Sequence, residues 1–260
     1  MPCLLALRCE IATHSPHESA VDPKRWAIGA NPAALRSLNP IRRAMESMPT
    51  VQGRGKKPIS LTLGDPCAFG EIKAPQVAVQ ALTDAISGFH YNGYSQAAGI
   101  YDCRSWLSVC DPDCVLKEAK VLDAFTNLAQ MHLSTCTPIQ AALPKILQNT
   151  PQDFFSQTLD TLSTRADLCY ERAQKTPGLS CPSKPRGSMY IMIRIDSDKF
   201  KDLRDDKEFA VALAKEEALM VLPGSAFGFP GWIRLLFAAP ETILDESWDR
   251  LEAFCTRHTK

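Results

Sequence analysis

The C-terminal half of the chain constrains the fold most, because helical and strand patterns alternate there without interruption. Apolar residues recur at helical spacing over 151–175, 206–219 and 241–258, and the apolar runs MYIMIRI (189–195), VLPGSAFG and WIRLLFA are typical of strands. The order helix, strand, helix, strand, strand, helix predicts a complete α/β layer. We therefore expect an α/β fold with its best-defined core in this half.

Weaker patterns fill the rest of the chain. They predict a helix from Asn39-Pro40 through IRRAMESM, a strand at 59–63 (ISLTL) and a helix at 75–87. Over 115–147 they predict one long helix or two, with a break at 137–138. Residues 1–23 are expected to be a mobile extension.

Composition argues against several classes of partner and site. Basic and acidic residues are balanced at 29 each, which disfavours a nucleic-acid partner. No apolar run reaches the roughly 18 residues that a membrane-spanning helix needs. The ten cysteines form no Cys-x-x-Cys pair and the five histidines do not cluster with them, so no metal site is predicted. Without a secretory signal we expect a cytoplasmic protein with reduced thiols, and a mitochondrial transit peptide is the alternative.

Three residues are candidates for a binding site. Arg234 lies inside the apolar pattern GWIRLLFAAP, where an unpaired arginine is costly to bury, and this favours a functional role. Gly64, in LTLGDP, fits either a turn or a close approach of the backbone to a ligand. Tyr94, in YNGYSQAAG, fits either a ligand contact or an aromatic side chain packed beside a turn. The residues alone leave both alternatives open for Gly64 and Tyr94.

Four segments together resemble one enzyme family. They are NPIR (39–42), ISLTLGDP (59–66), YNGYSQAAG (91–99) and GWIRLLFAAPE (231–241). The set resembles the class I pyridoxal-phosphate (PLP) aminotransferases, and among them the tyrosine aminotransferases most closely. The resemblance implies a fold type I PLP-dependent transferase that forms a homodimer and acts on an amino acid and a 2-oxo acid.

The resemblance also assigns roles to individual residues. Gly64 and Arg234 would contact the substrate carboxylate. Tyr94 would reach the phosphate of pyridoxal 5'-phosphate in the neighbouring subunit, and Arg104 falls near the phosphate-binding arginine of the family. These assignments come from the family and not from spacing or composition.

The chain departs from the family where the cofactor is held. After Gly99 the family continues through a Ser-Gly-x-Ser-Gln-type phosphate loop, an Asn-Asn-Pro-x-Asn-Pro segment, an Asp-Glu-x-Tyr segment and a Ser-Lys motif with the Schiff-base lysine. Here IYDCRSWLSVCDPDC leads directly into VLKEAKVLDAF, which resembles the family downstream of that lysine. Ser183-Lys184 precedes Pro185 in a predicted loop and is interpreted as a surface pair. No catalytic lysine is therefore assigned.

These departures predict a remnant of the fold, with a truncated large domain and a nearly complete small C-terminal domain. The predicted divisions are the extension at 1–23, an N-terminal arm and start of the fold at 24–105, a helical connection at 106–149 and the small α/β domain at 150–257. Residues 24–147 are expected to be less stable and to expose apolar surface, because the 59–63 strand would lack the large domain against which it packs.

Two functions stay open at this point. The first is a tyrosine aminotransferase-like protein of amino-acid catabolism, for which the resemblance implies amino-group transfer from L-tyrosine to 2-oxoglutarate, inactive because the lysine is missing. The second is a non-catalytic binding or dimerisation partner of a full-length aminotransferase. Whether the chain is an enzyme is left undecided by the sequence.

Overall fold

The computed structural model describes residues 31–49, 55–110, 118–131 and 135–260. The chain divides into two compact units, residues 1–39 and 40–260. In the first unit, α1 (Pro32–Arg36) begins after Asn31, whose side-chain oxygen accepts a hydrogen bond from the Ala33 amide. The extension predicted at 1–23 lies outside the described residues.

The second unit contains a four-stranded antiparallel sheet. Its strands lie in the order β2 (Leu179–Ser180), β3 (Tyr190–Ile195), β6 (Trp232–Leu236) and β5 (Leu222–Pro223). Buried residues alternate with more accessible ones along β3, as expected of a half-buried strand. The strands predicted at 189–195 and at WIRLLFA are confirmed, and β6 is an inner strand of the sheet.

Three long helices share one core with this sheet, and the last of them packs on the other two. They are α7 (Gln152–Lys175), α8 (Asp206–Glu217) and α9 (Glu241–His258), and all three were predicted. α8 ends two residues earlier than predicted because Ala218 adopts a left-handed conformation with φ of 53°. The fully buried side chains of this core include Ile191, Ile193, Phe209, Leu213, Ile233, Leu235, Trp248, Leu251 and Phe254.

The strand predicted at 59–63 is shorter and has a partner in this unit. β1 (Ile59–Ser60) pairs in parallel with β4 (Leu219–Met220), and the Leu61 amide donates to the Met220 carbonyl at 2.9 Å. Ile59 and Leu61 are buried in the same core as the sheet and the three long helices. The expectation that this strand lacks a packing partner is therefore wrong, because β4, which follows α8, forms backbone hydrogen bonds with β1.

The segment VLPGSAFG does not continue as one strand. β5 ends at Pro223, and residues Gly224–Phe227 form a turn of 3-10 helix. A Cβ atom on Gly224 would lie 2.3 Å from the Phe229 carbonyl oxygen, so the chain folds back closely on itself here. The predicted helix α2 (Pro40–Glu46) is confirmed and packs against β5 and this turn.

Residues 76–149 contain helices with a small alanine-rich core. α3 (Gln76–Ser87) packs on α6 (Thr137–Asn149), and their contact buries Ala81, Ala85 and Ala142. α4 (Tyr101–Cys110), which was not predicted, also packs on α6, and α5 (Ala119–Gln130) precedes α6 in the chain.

The predicted break at 137–138 is confirmed as the start of α6. So is the expected exposed apolar surface, to which Val79, Ile86, Phe89, Phe125, Leu128 and Ile139 contribute.

Candidate functional site

Arg234 extends from the middle of the inner strand β6. Its strand neighbours are Met192 on β3 and Leu222 on β5, so the backbone on both sides is held by the sheet. The guanidinium Nη2 donates a hydrogen bond to the carbonyl oxygen of Thr62 at 2.9 Å. Thr62 is itself buried, just beyond β1. Arg234 is half-buried rather than fully exposed, and its side chain links the central sheet to the N-terminal strand.

Two aromatic rings lie over the Arg234 guanidinium. Its Cζ is 4.0 Å from the ring centroid of Tyr190 and 4.5 Å from that of Phe227. Both distances are within the range of a cation–π interaction. Burial lowers the pKa of Arg234, and the electrostatic interaction with the nearby Tyr190 side chain opposes that shift. The rings and the Thr62 carbonyl together hold the guanidinium in one orientation.

One nitrogen of Arg234 lacks a protein acceptor. Nε is buried and has no hydrogen-bond partner among the described residues. A buried donor left unsatisfied costs about 1–3 kcal/mol, and the guanidinium as a whole keeps donor capacity that the Thr62 carbonyl does not use. A carboxylate suits it best, because its two oxygens match the planar fork of a guanidinium.

Gly64 lies two residues beyond Thr62 and directly against Tyr190. A Cβ atom on Gly64 would lie 1.4 Å from the Tyr190 hydroxyl oxygen and 2.7 Å from Cζ of that ring. The φ angle of Gly64 is outside the left-handed region, so the turn alone does not require glycine. The structure therefore explains Gly64 by close packing against the Tyr190 side chain, which neither alternative from the sequence included, and its contact with a ligand stays a prediction. It thus brings Gly64 and Arg234 to the same aromatic side chain.

Sequence reasoning did not identify Tyr190 and Phe227. A signal existed for Tyr190: with Met192 opposite Arg234, the two-residue period of β3 places Tyr190 diagonally across from Arg234 on the same face of the sheet. Using that signal requires the register between β3 and β6. Phe227 lies in the 3-10 turn that was predicted as strand, and no local pattern marks its position over the arginine.

Tyr94 and Arg104 lie among the helices of residues 76–149. The Tyr94 side chain is 88% exposed and lines a surface cavity with Tyr91 and residues 135–138. Arg104 is exposed on α4, and its Cζ is 6.0 Å from the ring centroid of Tyr101. Arg104 lies on α4, which packs on α6, and Tyr94 lies in the segment before α4, whereas Arg234 lies on β6 and Gly64 packs against Tyr190 of β3. The structure does not gather the four predicted site residues into one site.

The residues that contact Arg234 do not form a site for PLP. That cofactor needs a lysine amine for its Schiff base and cationic and hydroxyl groups around its phosphate. Lys184 forms an ion pair with Asp167 at 2.5 Å and is half-exposed, in agreement with its interpretation as a surface residue. Lys56 forms an ion pair with Glu217. In the part of the chain that is described, the residues at Arg234 fit a carboxylate and do not fit PLP.

The described part of the chain contains neither a metal-binding cluster nor a membrane-spanning helix. Across residues 31–49, 55–110, 118–131 and 135–260, no group of three or more histidine, cysteine or acidic side chains is arranged to hold a metal ion. Among the helices so described, none is both long and apolar enough to cross a bilayer.

Comparison with protein families gives one clear match. The model of the family described as "Aminotransferase class I and II" matches residues 67–251. Over 155 residues the chain is 37% identical to nicotianamine aminotransferase 1 of Oryza sativa subsp. japonica, covering 60% of this chain and 31% of the relative. Over 139 residues it is 37% identical to tyrosine aminotransferase of Mus musculus, covering 54% and 30%. The chain thus spans about a third of the length of these curated relatives.

Comparison with solved structures agrees on the fold. The crystal structure of tyrosine aminotransferase from Leishmania infantum superposes with a TM-score of 0.80 at 16% identity, covering 90% of this chain and 100% of that chain. Aspartate aminotransferase from Rhizobium meliloti gives a TM-score of 0.50 at 26% identity, covering 54% and 36%. The predicted α/β fold of the PLP-dependent aminotransferase type is confirmed.

Proposed function

Because the chain belongs to the class I and II aminotransferase family, we propose that it is a tyrosine aminotransferase-like protein that binds carboxylates at Arg234 and does not catalyse transamination. The ligands are amino acids and 2-oxo acids, and L-tyrosine and 2-oxoglutarate are the pair that the tyrosine aminotransferase resemblance suggests. The proposed divisions remain those at 1–23, 24–105, 106–149 and 150–257. We also propose a cytoplasmic location, which agrees with the unpaired state of the described cysteines.

The observation that carries this proposal is the state of the Arg234 guanidinium. It is oriented by Thr62, Tyr190 and Phe227, and its buried Nε has no acceptor. An oriented guanidinium loses little side-chain entropy when it binds a carboxylate. Because a single guanidinium–carboxylate contact offsets little of the entropy lost on association, we expect dissociation constants in the millimolar range, on the order of 4 kcal/mol of binding free energy.

The absence of catalysis is supported by the missing family segments after Gly99, among them the Ser-Lys motif that carries the Schiff-base lysine. Lys56 and Lys184 each form an ion pair with an acidic side chain and serve surface or structural contacts. We therefore propose that this chain binds the carboxylate ligand and carries out no PLP-dependent reaction on it.

The test is a titration of the full chain with 2-oxoglutarate, in which NMR monitors the signals of the arginine side-chain N–H groups. Wild type should bind in the millimolar range and the Arg234 Nε–H signal should shift, whereas Arg234→Gln should show no saturable binding. Arg194→Gln is the matched control, because Arg194 lies exposed on the neighbouring strand. Tyramine, which has no carboxylate, should not bind. Equal binding by wild type and Arg234→Gln would refute the proposal.

A second candidate is a dimerisation partner of a full-length aminotransferase. The observation in its favour is the exposed apolar surface of the helices, including Phe125 and Leu128 on α5 and the protruding Tyr94. Size-exclusion chromatography with light scattering, on this chain alone and mixed with a full-length tyrosine aminotransferase, distinguishes the two. A mixed dimer would support the second candidate, and separate elution would exclude it.

A further inference from the structure

Asp206 is a buried carboxylate that connects the start of α8 to the loop before β6. The residue is only 2% exposed, and its carboxylate accepts two hydrogen bonds from backbone amides of that loop. Oδ2 accepts from the Ser225 amide at 2.7 Å and Oδ1 accepts from the Gly231 amide at 3.2 Å. One side chain thus holds both ends of the loop 225–231.

The neighbouring Asp205 has a different role. It is the N-cap of α8, and its Oδ1 accepts from the amides of Lys207 and Glu208. The helix start is therefore satisfied by Asp205, and the Asp206 carboxylate is not needed as a cap. Its hydrogen bonds serve the loop and not the helix.

The loop held by Asp206 carries Phe227. Gly228 and Gly231 adopt positive φ angles of 79° and 81°, and the close approach at Gly224 leaves little room within the fold-back. Phe227 lies between Gly224 and Gly228, and the centroid of its ring is 4.5 Å from Cζ of Arg234. If the loop ends were released, the chain on either side of Phe227 could move and the ring would no longer be fixed over the guanidinium.

We propose that Asp206 is a positioning residue for the carboxylate site: by anchoring the amides of Ser225 and Gly231 it holds Phe227 over Arg234 and keeps the guanidinium oriented for its ligand. This inference rests on the proposed function for the identity of the ligand. The positioning of Phe227 itself does not depend on that ligand, because it is a property of the free chain. Asp206 does not contact Arg234 in the interactions described above and acts through the loop.

The variant Asp206→Asn tests the idea with little change in volume. An amide has one carbonyl acceptor where the carboxylate has two oxygens, so one of the two loop hydrogen bonds is lost. Asp205→Asn is the matched control, since asparagine caps helices about as well as aspartate. Asp206→Glu, which keeps the charge but moves it by one methylene, is the second variant if the amide fails to fold.

Two readouts separate positioning from general stability. The first is the NMR shift of the Arg234 side-chain protons, which the aromatic rings perturb in the free chain. Phe227→Leu should move these shifts toward those of free arginine, Asp206→Asn should move them in the same direction, and Asp205→Asn should leave them unchanged. Unaltered Arg234 shifts in Asp206→Asn would overturn the inference.

The second readout is a double-mutant cycle on 2-oxoglutarate affinity. Asp206→Asn and Phe227→Leu should each weaken binding by up to about tenfold, and the double variant should bind no more weakly than the weaker single variant. Additive losses would overturn the inference, because they would mean that Asp206 acts independently of Phe227. If wild type bound no carboxylate, the proposed function would fail, and the proton shifts would still decide the role of Asp206.

Discussion

The hydroxyl oxygen of Tyr190 occupies the space beside Gly64 where a side chain would otherwise be, 1.4 Å from the ideal position of a Cβ atom. The same ring lies 4.0 Å from Cζ of Arg234. Gly64 therefore influences the arginine through Tyr190: the lack of a side chain at position 64 is what lets the ring stay over the guanidinium. Glycine at position 64 therefore serves the packing of Tyr190 over Arg234.

Gly64→Ala should displace Tyr190 and disturb the site. Overpacking of this kind typically costs about 1–3 kcal/mol, and we expect a loss in that range by urea unfolding together with weaker 2-oxoglutarate binding. Gly187→Ala is the control, since a Cβ atom there has no neighbour within 4 Å. In the Gly64→Ala background, Tyr190→Phe should recover part of the stability by removing the hydroxyl oxygen. Equal stability of the two alanine variants would contradict the packing role.

Leu61 should be essential to the main core although it belongs to the N-terminal part of the chain. Its side chain is fully buried, whereas Leu63, two residues later, is 53% exposed. Leu61→Ala should lower the free energy of unfolding by about 2–5 kcal/mol. Leu63→Ala should change it by no more than about 0.5 kcal/mol. A similar small effect for both variants in chemical denaturation would mean that β1 does not dock as described.

The ion pairs of Glu217 should make stability depend on pH. Its side chain is only 3% exposed and interacts with Lys56 and Arg257. Burial alone would raise the pKa of Glu217, but the hydrogen bonds and charges of Lys56 and Arg257 lower it below its ordinary value. Because the folded pKa is lower than the unfolded one, the stabilisation is complete above the unfolded pKa of about 4.3 and is lost as pH falls below it.

At pH 7, Glu217→Gln should therefore lower the free energy of unfolding, measured with urea, by about 1.5–3 kcal/mol. Between pH 5 and pH 3, about one unit either side of the ordinary glutamate pKa, the variant should lose less of its remaining stability than wild type does. Glu171→Gln serves as the control, since that side chain is 69% exposed on α7. Parallel pH profiles for wild type and Glu217→Gln would show that the network does not couple to folding.

The elements of the C-terminal half were predictable because their signals are local. Helical periodicity defined α7, α8 and α9, and continuous apolar runs defined β3 and β6. The partner of β1 was not predictable, because the pairing of Ile59 with Leu219 joins residues far apart in sequence and is fixed by packing. Arg234 was identified because a charge within an apolar strand is unusual. Its aromatic neighbours depend on strand register and on the loop held by Asp206, which local patterns do not encode.

The proposed function requires that this chain, which has the aminotransferase fold, holds no working cofactor site. The most direct measurement is to incubate the purified chain with PLP, reduce with sodium borohydride, and map modified lysines by mass spectrometry, with a urea-unfolded sample as reference. We expect no visible cofactor band, and labelling scattered over exposed lysines as in the unfolded reference. Stoichiometric labelling of one lysine in the folded chain only, together with a visible absorption band, would contradict the account.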